Sequence, residues 1–457
     1  MPPKPVSYLP QVIVKFRDSV NVPYEDDNGT EIERHGYGSW TQLETQFPGI
    51  RIQRLYRHIS PAQLGALGDR AAANDRAYKP RNPSTYFVVK CPDSVASRDL
   101  AEVLRRWPSI EAAYADQKAV IASGLCTTTF ENAAPAGIDA QFAWTVPGGD
   151  GQGQSVIDIE DGWELNHVAI AAHAIPPPIV GFNDPGESSH GTSVLGIICG
   201  SGGGFSGIAP NVQSVAVVSA KVSATDPVSM ASIADAIATA ALQLAFGSVL
   251  VIEFQSSEFL PCETDFACFQ QIDLATSAGV VVVEAAGNGA SDLDAFVDTS
   301  GRRTLQRSAQ NPAFEDSGAI IVAAASGAVP HQWRINSNFG SRIDCYACGD
   351  GVLAPVSSGP GDTMSTGCFF DTSAATAIIA GVALSVQGMT EARTGQRAGP
   401  SALRSILSDP ATATAATGQN AGVIGVMPDL NAIARKIQQT SPVVSAPSAP
   451  TNLHIVG

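Results

Sequence analysis

The chain has 457 residues, 44% hydrophobic and 15% charged, a globular composition with enough apolar material for two or three domain cores. Its formal net charge of −16 argues against nucleic acid as a partner, because phosphate binding needs clustered Lys and Arg. The apolar runs GVVVVEAAG and ATAIIAGVALSV are too short or too rich in small residues to span a bilayer, so no membrane partner is expected.

The start, MPPKPVSYLPQVIVKF, has no apolar signal core, which points to a cytoplasmic or non-classically exported protein. Residues 1–123 read as a small α+β domain. QVIVKF and STYFVVKC are strand-like, and SIEAAYAD is a returning strand. SRDLAEVLRRW reads as a helix with Leu100, Val103, Leu104 and Trp107 on one face and Ser97 as its cap. RAYKPRNPS is a loop by its prolines and polarity.

The texture changes over 120–150, where GLCTTTFENAAPAG and VPGGDGQGQ are turn-rich. Residues 124–440 then read as one α/β domain. Apolar strands are expected at SVIDIE, VQSVAVVS, SVLVIEF, GVVVVEA and GAIIVAAA, with helices at 190–200, 228–246, 265–278 and 372–388. Continuous apolar strands separated by helices imply a parallel sheet covered on both faces. Residues 441–457 form a Pro/Ser-rich tail.

Eight cysteines permit disulfides without showing them. Cys345 and Cys348 form a lone CxxC, read as a short-loop disulfide or two free thiols rather than half a zinc site. Cys262 and Cys268 could close a surface loop.

Four stretches carry the candidate chemistry. SVIDIEDGWELNH ends an apolar strand in Asp158, Glu160 and Asp161. SSHGTSVLGIICG opens a helix at His190. VVVVEAAGNGA ends a strand with Asn288 in a glycine turn. FFDTSAATAIIAGVAL places Ser373 at the start of an apolar helix. A serine becomes a nucleophile when a histidine takes its proton and a carboxylate holds that histidine in the right tautomer. A side-chain amide such as Asn288, and backbone N–H groups at a helix start, can stabilise the oxyanion. The order acid, His, Ser is one of the known arrangements of this triad.

These stretches resemble the subtilisin family of serine peptidases. His190-Gly191-Thr192 matches the histidine motif, AAGN with Asn288 the oxyanion motif, and TSAATAIIAG the serine motif. PAGIDAQFAW resembles the approach to the peptidase domain, and GFSGIAPNVQSVAVV the connection after the histidine helix. The resemblance implies a subtilisin-like parallel sheet with helices on both faces. It also implies peptide-bond hydrolysis, a polypeptide substrate and chemistry without a cofactor. The N-terminal domain resembles the family's propeptide, a folding chaperone and intramolecular inhibitor. That likeness would lay residues 118–126 along the substrate groove and allow processing there.

The family's acid motif is Asp, a small residue and Gly, with a histidine five residues after the Gly. Gly162 and His167 fit those positions, which puts Glu160 in the catalytic place and Asp161 in the small-residue place. Strand alternation puts Asp158 on the same face as Glu160, so Asp158 is the rival acid. A merely acidic strand end is the third reading.

Three departures stand out. Asp371 replaces a Gly and reads either as a helix N-cap or as a charge that opposes the oxyanion. Thr376 replaces a Pro. Glu253, Phe254 and Gln255 stand where the family has a Ser-Leu-Gly run against the substrate backbone. Glu253 reads as an attractor for a basic side chain or as a buried structural acid.

Other signals are weaker. Gly202, Gly204 and Gly207 fit GxGxxG but follow a helix, so a dinucleotide site is not supported. Asp292 and Asp294 could hold a structural calcium, though solvated turn acids explain them as well. His35, His58, His167, His173, His331 and His454 have no metal-ligand spacing. The leading expectation is a serine endopeptidase using Glu160, His190, Ser373 and Asn288. The alternative is a subtilisin-fold polypeptide-binding protein with little or no turnover.

Overall fold

The computed structural model describes residues 8–117, apart from 76, 80 and 93, and residues 129–439. The expected groove-lying tail at 118–126, Cys126 and the 441–457 tail lie outside the described residues.

The N-terminal domain is a four-stranded antiparallel sheet in the order β2-β3-β1-β4. Its strands are β1 (Tyr8–Phe16), β2 (Arg51–Arg54), β3 (Tyr86–Lys90) and β4 (Ile110–Gln117), and its helices are α1 (Gly29–Arg34), α2 (Trp40–Gln46), α3 (Pro61–Asn74) and α4 (Ser97–Leu104). Three of these strands and α4 follow the sequence pattern. Ser97 does not cap α4; it is the helix's first residue, after Ala96. Unlike α4, α3 has a full capping box, in which Ser60 and Gln63 satisfy each other's exposed amides.

The larger domain holds an eight-stranded sheet in the order β13-β14-β10-β9-β8-β7-β5-β6, parallel except for the terminal β13–β14 pair. Its strands are β5 (Ser155–Glu160), β6 (Ser214–Ser219), β7 (Val249–Ile252), β8 (Val281–Ala285), β9 (Ile320–Ala325), β10 (Cys345–Cys348), β13 (Ala413–Ala415) and β14 (Val426–Pro428). A separate hairpin pairs β11 (Val352–Pro355) with β12 (Thr366–Phe369). The helices are α5 (Ala140–Ala143), α6 (Ser188–Cys199), α7 (Met230–Gln243), α8 (Phe266–Ser277), α9 (Asp371–Thr394), α10 (Pro400–Leu407) and α11 (Leu430–Gln438).

Apolar runs with no polar alternation require cover on both faces. Helices α6 and α9 pack together, and α9 crosses β7 to β10; α7 lies on β5 and β6 and α8 on β8. Helix α9 is long and apolar enough to cross a membrane, yet it is buried from Asp371 to Met389 as the central helix of the core.

The two domains meet across α7 and α8, against which α3 packs. Asp116 of β4 accepts the Met230 amide at 3.1 Å, at the start of α7. At its far end, Arg70 of α3 donates to the carbonyls of Leu244 (3.0 Å) and Ala241. An anion at the amino end and a cation at the carboxyl end both complement the helix dipole. Tyr56 and Tyr86 add hydrogen bonds of 2.7 Å to Gln271 and Gln270 of α8.

The cysteines correct one expectation. Cys262 and Cys268 are both buried and free, so they close no loop. Cys345 and Cys348 are free, buried thiols within β10, the second of the two readings of the CxxC. Cys368 is disulfide-bonded.

Candidate active site

In a parallel sheet the carboxyl ends of the strands face one edge, which is where ligand sites form. Glu160 is the last residue of β5, Glu253 follows β7, and Asn288 lies just beyond β8. His190 and Ser373 each occupy the first turn of a helix, α6 and α9. Alternating strands and helices therefore bring these residues to one edge.

Glu160 Oε1 lies 2.6 Å from His190 Nδ1, with the carboxylate fully buried and the imidazole 8% exposed. Asp158, the rival acid, does not contact the ring. Its Oδ2 accepts the Trp163 indole N–H at 2.8 Å. Asp161 leaves its own side chain out of the pair and receives the Asp184 amide on its carbonyl. The motif glycine is sterically required, since a Cβ at Gly162 would stand 2.1 Å from the Asp184 carbonyl oxygen. Phe369 meets the other side of the imidazole edge-on, at 4.7 Å between centroids.

Burial pushes His190 down to about 4, with Asp161, Asp158 and Glu187 partly opposing it. Burial pushes Glu160 well above the carboxylate range, and Asp161 adds to this. Both shifts have burial as their largest cause, since burial disfavours charge on either member of the pair.

Asn288 Oδ1 accepts from the Thr372 amide (3.1 Å) and hydroxyl (2.7 Å). Its backbone N–H donates to Gln255 Oε1 at 2.8 Å. With the carbonyl oxygen so engaged, the remaining end of the Asn288 side chain is its amide NH2, a donor. Sequence reasoning missed Thr372 and the role of Gln255. Thr372 lies inside the serine motif, where a polar residue next to Ser373 was the available signal.

Ser373 is 5% exposed. It is not hydrogen-bonded to His190, whose Nε2 is buried without a partner. Burial, with Glu160 and Asp158 nearby, raises the Glu253 carboxyl well above the ordinary range, and neither of its oxygens has a hydrogen-bond partner.

Asp371 is neither a cap nor a free charge. Its side chain makes no cap hydrogen bond and pairs instead with Arg334, which also holds Asp350 at 2.5 Å. Its φ of +57° explains why glycine is favoured there. Thr376 bonds back to the Thr372 carbonyl at 2.7 Å, and α9 runs on unbroken. Asp294 accepts from the Ser341 amide at 2.9 Å, while Asp292 caps the turn that follows it. No group of three metal-ligating side chains occurs among the described residues. The GxGxxG glycines lie in the loop after α6.

Fold and site together define a subtilisin-like α/β protein that gathers a histidine, an acid, a serine and a side-chain amide at one sheet edge. The subtilase family model matches residues 152–440, more than half of the chain, and the chain belongs to the subtilase family. Among solved structures it resembles fervidolysin from Fervidobacterium pennivorans, described as a keratinolytic enzyme related to subtilisin. That match has a TM-score of 0.55 at 15% identity and covers 94% of this chain and 61% of fervidolysin. A cold adapted subtilisin-like serine proteinase matches at TM-score 0.45 and 21% identity, over 61% of this chain and 88% of that one. Prenylagaramide maturation protease PagA matches at 0.48 and 20%, over 65% and 98%. At these identities the likeness concerns the fold. A search of curated proteins gave no match.

Proposed function

We propose that the chain is a serine endopeptidase. Ser373 attacks the peptide carbonyl, His190 Nε2 takes the serine proton and later delivers it to the leaving amine, and Glu160 fixes the imidazole tautomer through Nδ1. Asn288, with the Ser373 backbone N–H, receives the oxyanion. The observation that carries this reading is the buried 2.6 Å contact between Glu160 and His190, with Nε2 left without a partner. No metal or organic cofactor has a step in it.

The binding-only alternative drew on the charge of Asp371 and on the altered strand at Glu253, Phe254 and Gln255; the ion pair with Arg334 answers the first ground, and the second stays with the test below. The N-terminal domain, docked on α7 and α8, serves in this reading as an intramolecular chaperone and inhibitor. The test is hydrolysis of a diverse fluorogenic peptide library by the full chain and by Ser373→Ala. Cleavage by the first and none by the second is expected. Equal turnover by both would refute the assignment.

A further inference from the structure

Residues 287–290, around Asn288, belong to no helix or strand, so their backbone groups need partners of another kind. Asn338, which is fully buried, supplies several. Its side-chain oxygen accepts from the amides of Gly289 (3.1 Å) and Ser291 (2.8 Å). Its side-chain nitrogen donates to the carbonyls of Ala286 (2.7 Å) and Phe259 (2.6 Å), and its backbone N–H donates to the Gly287 carbonyl at 2.9 Å. The Asn288 N–H goes elsewhere, to Gln255 Oε1 at 2.8 Å. Gln255 is 2% exposed and lies just beyond the end of β7. The chain folds back after it: Gln255 bridges Pro261, and the Ser256 amide donates to the Leu260 carbonyl at 2.9 Å. This fold-back packs so closely on the glycine turn that a Cβ at Gly287 would stand 2.4 Å from the Phe259 carbonyl oxygen. The Gln255 bond thus ties the chain beyond β7 to the chain beyond β8 at the residue that carries the side-chain amide. A glycine, which the resemblance leads one to expect at 255, could make no such bond.

We propose that Gln255 is a positioning residue for Asn288, aiming its amide at the oxyanion. The inference rests on the reading of Ser373 as the nucleophile and Asn288 as the oxyanion donor. Gln255 acts through the Asn288 backbone and not on the reacting atoms. Asn288 is held at two points: its N–H by Gln255, and its side-chain oxygen by the amide and hydroxyl of Thr372. Anchors at both ends of one residue leave its NH2 group little freedom to turn. A donor fixed before the reaction needs no reorganisation when negative charge develops. Without the Gln255 oxygen the Asn288 N–H loses its acceptor, the turn relaxes and the amide loses part of its aim. The loss falls on the transition state and not on substrate binding, so it lowers kcat and spares KM.

The test is steady-state hydrolysis of one fluorogenic peptide by the full chain. The unsubstituted chain is compared with Gln255→Met, Gln255→Gly, Asn288→Ala, and Asn288→Ala combined with Gln255→Met. Methionine keeps the side-chain length without the oxygen, and glycine removes the side chain altogether. We expect kcat to fall about tenfold in both Gln255 variants, with KM changed less than about twofold. On the Asn288→Ala background, Gln255→Met should change kcat less than about twofold, because the group it aims is gone. A residue that only supports the fold would give the same loss on both backgrounds. That result overturns the inference, as does a kcat within about twofold of the unsubstituted chain in both Gln255 variants, and in either case the peptidase reading stands. If the unsubstituted chain hydrolyses nothing, the nucleophile reading falls, and this inference with it.

Discussion

Shortening Glu160, the proposed triad acid, by one methylene is the most informative single change. Glu160 meets His190 at 2.6 Å from the end of β5. Aspartate at that position withdraws the carboxylate by about 1.5 Å, which opens the contact to roughly 4 Å, beyond hydrogen-bond range. A hydrogen bond to a charged group is worth about 1.5–3 kcal/mol, so kcat/KM for Glu160→Asp should fall roughly 10- to 150-fold. Glu160→Gln preserves the length but can hold the wrong tautomer, and a loss approaching 10⁴-fold is expected by analogy with other triads. The void left by Glu160→Asp costs about 1 kcal/mol of stability, so thermal melts separate lost chemistry from lost fold. Asp158→Asn should cost less than about tenfold, because an amide oxygen still accepts from Trp163. Peptide hydrolysis by all three variants is the assay. Activity kept in Glu160→Gln and lost in Asp158→Asn would refute the reasoning.

Asn288→Ala should lower kcat by roughly 10²–10³-fold with little change in KM, and Thr372→Val, which frees the Asn288 carbonyl oxygen, should reproduce about a tenth of that loss in steady-state assays. Arg334→Met leaves Asp371 unpaired. A carboxylate about 5 Å from the oxyanion costs on the order of 3 kcal/mol at an effective dielectric of 20, or about a hundredfold in rate, and adding Asp371→Gly should restore activity. His190 accepts a proton only above its own pKa, so kcat/KM should fall as pH drops through about 4 rather than near 6.5; an acid limb at 6.5 or higher contradicts the burial argument. Glu253 has a raised pKa in the folded chain, which then binds more protons than the unfolded one, so stability is lost as pH rises above the ordinary carboxylate range. Glu253→Gln should therefore raise Tm at pH 8 and do so much less at pH 4, in melts recorded at both values.

The sheet was legible because β5 to β9 are mostly apolar, and such strands in alternation with helices have few other solutions. Glu160 was legible by counting back from Gly162, and the steric need for that glycine gives the count its physical basis. Short elements were not legible. Strand β10 is four residues, CYAC, and reads as a thiol motif before it reads as a strand. Strands β13 and β14 are three residues each, too short for any period. Helix α3 is masked by its two glycines and its alanines, which weaken the apolar stripe. The fate of Asp371 depended on Arg334, 37 positions earlier, and no local pattern reports such a pairing. The closeness of Glu253 to Glu160 likewise follows from the register of β5 against β7, a fact of pairing and not of spacing.

The central claim is that Ser373 is an activated nucleophile. Intact-mass analysis of the full chain after treatment with diisopropyl fluorophosphate, followed by peptide mapping, tests it most directly. The account predicts a single adduct on the peptide carrying Ser373, absent in Ser373→Ala. An unmodified chain, or an adduct that persists in Ser373→Ala, would contradict it.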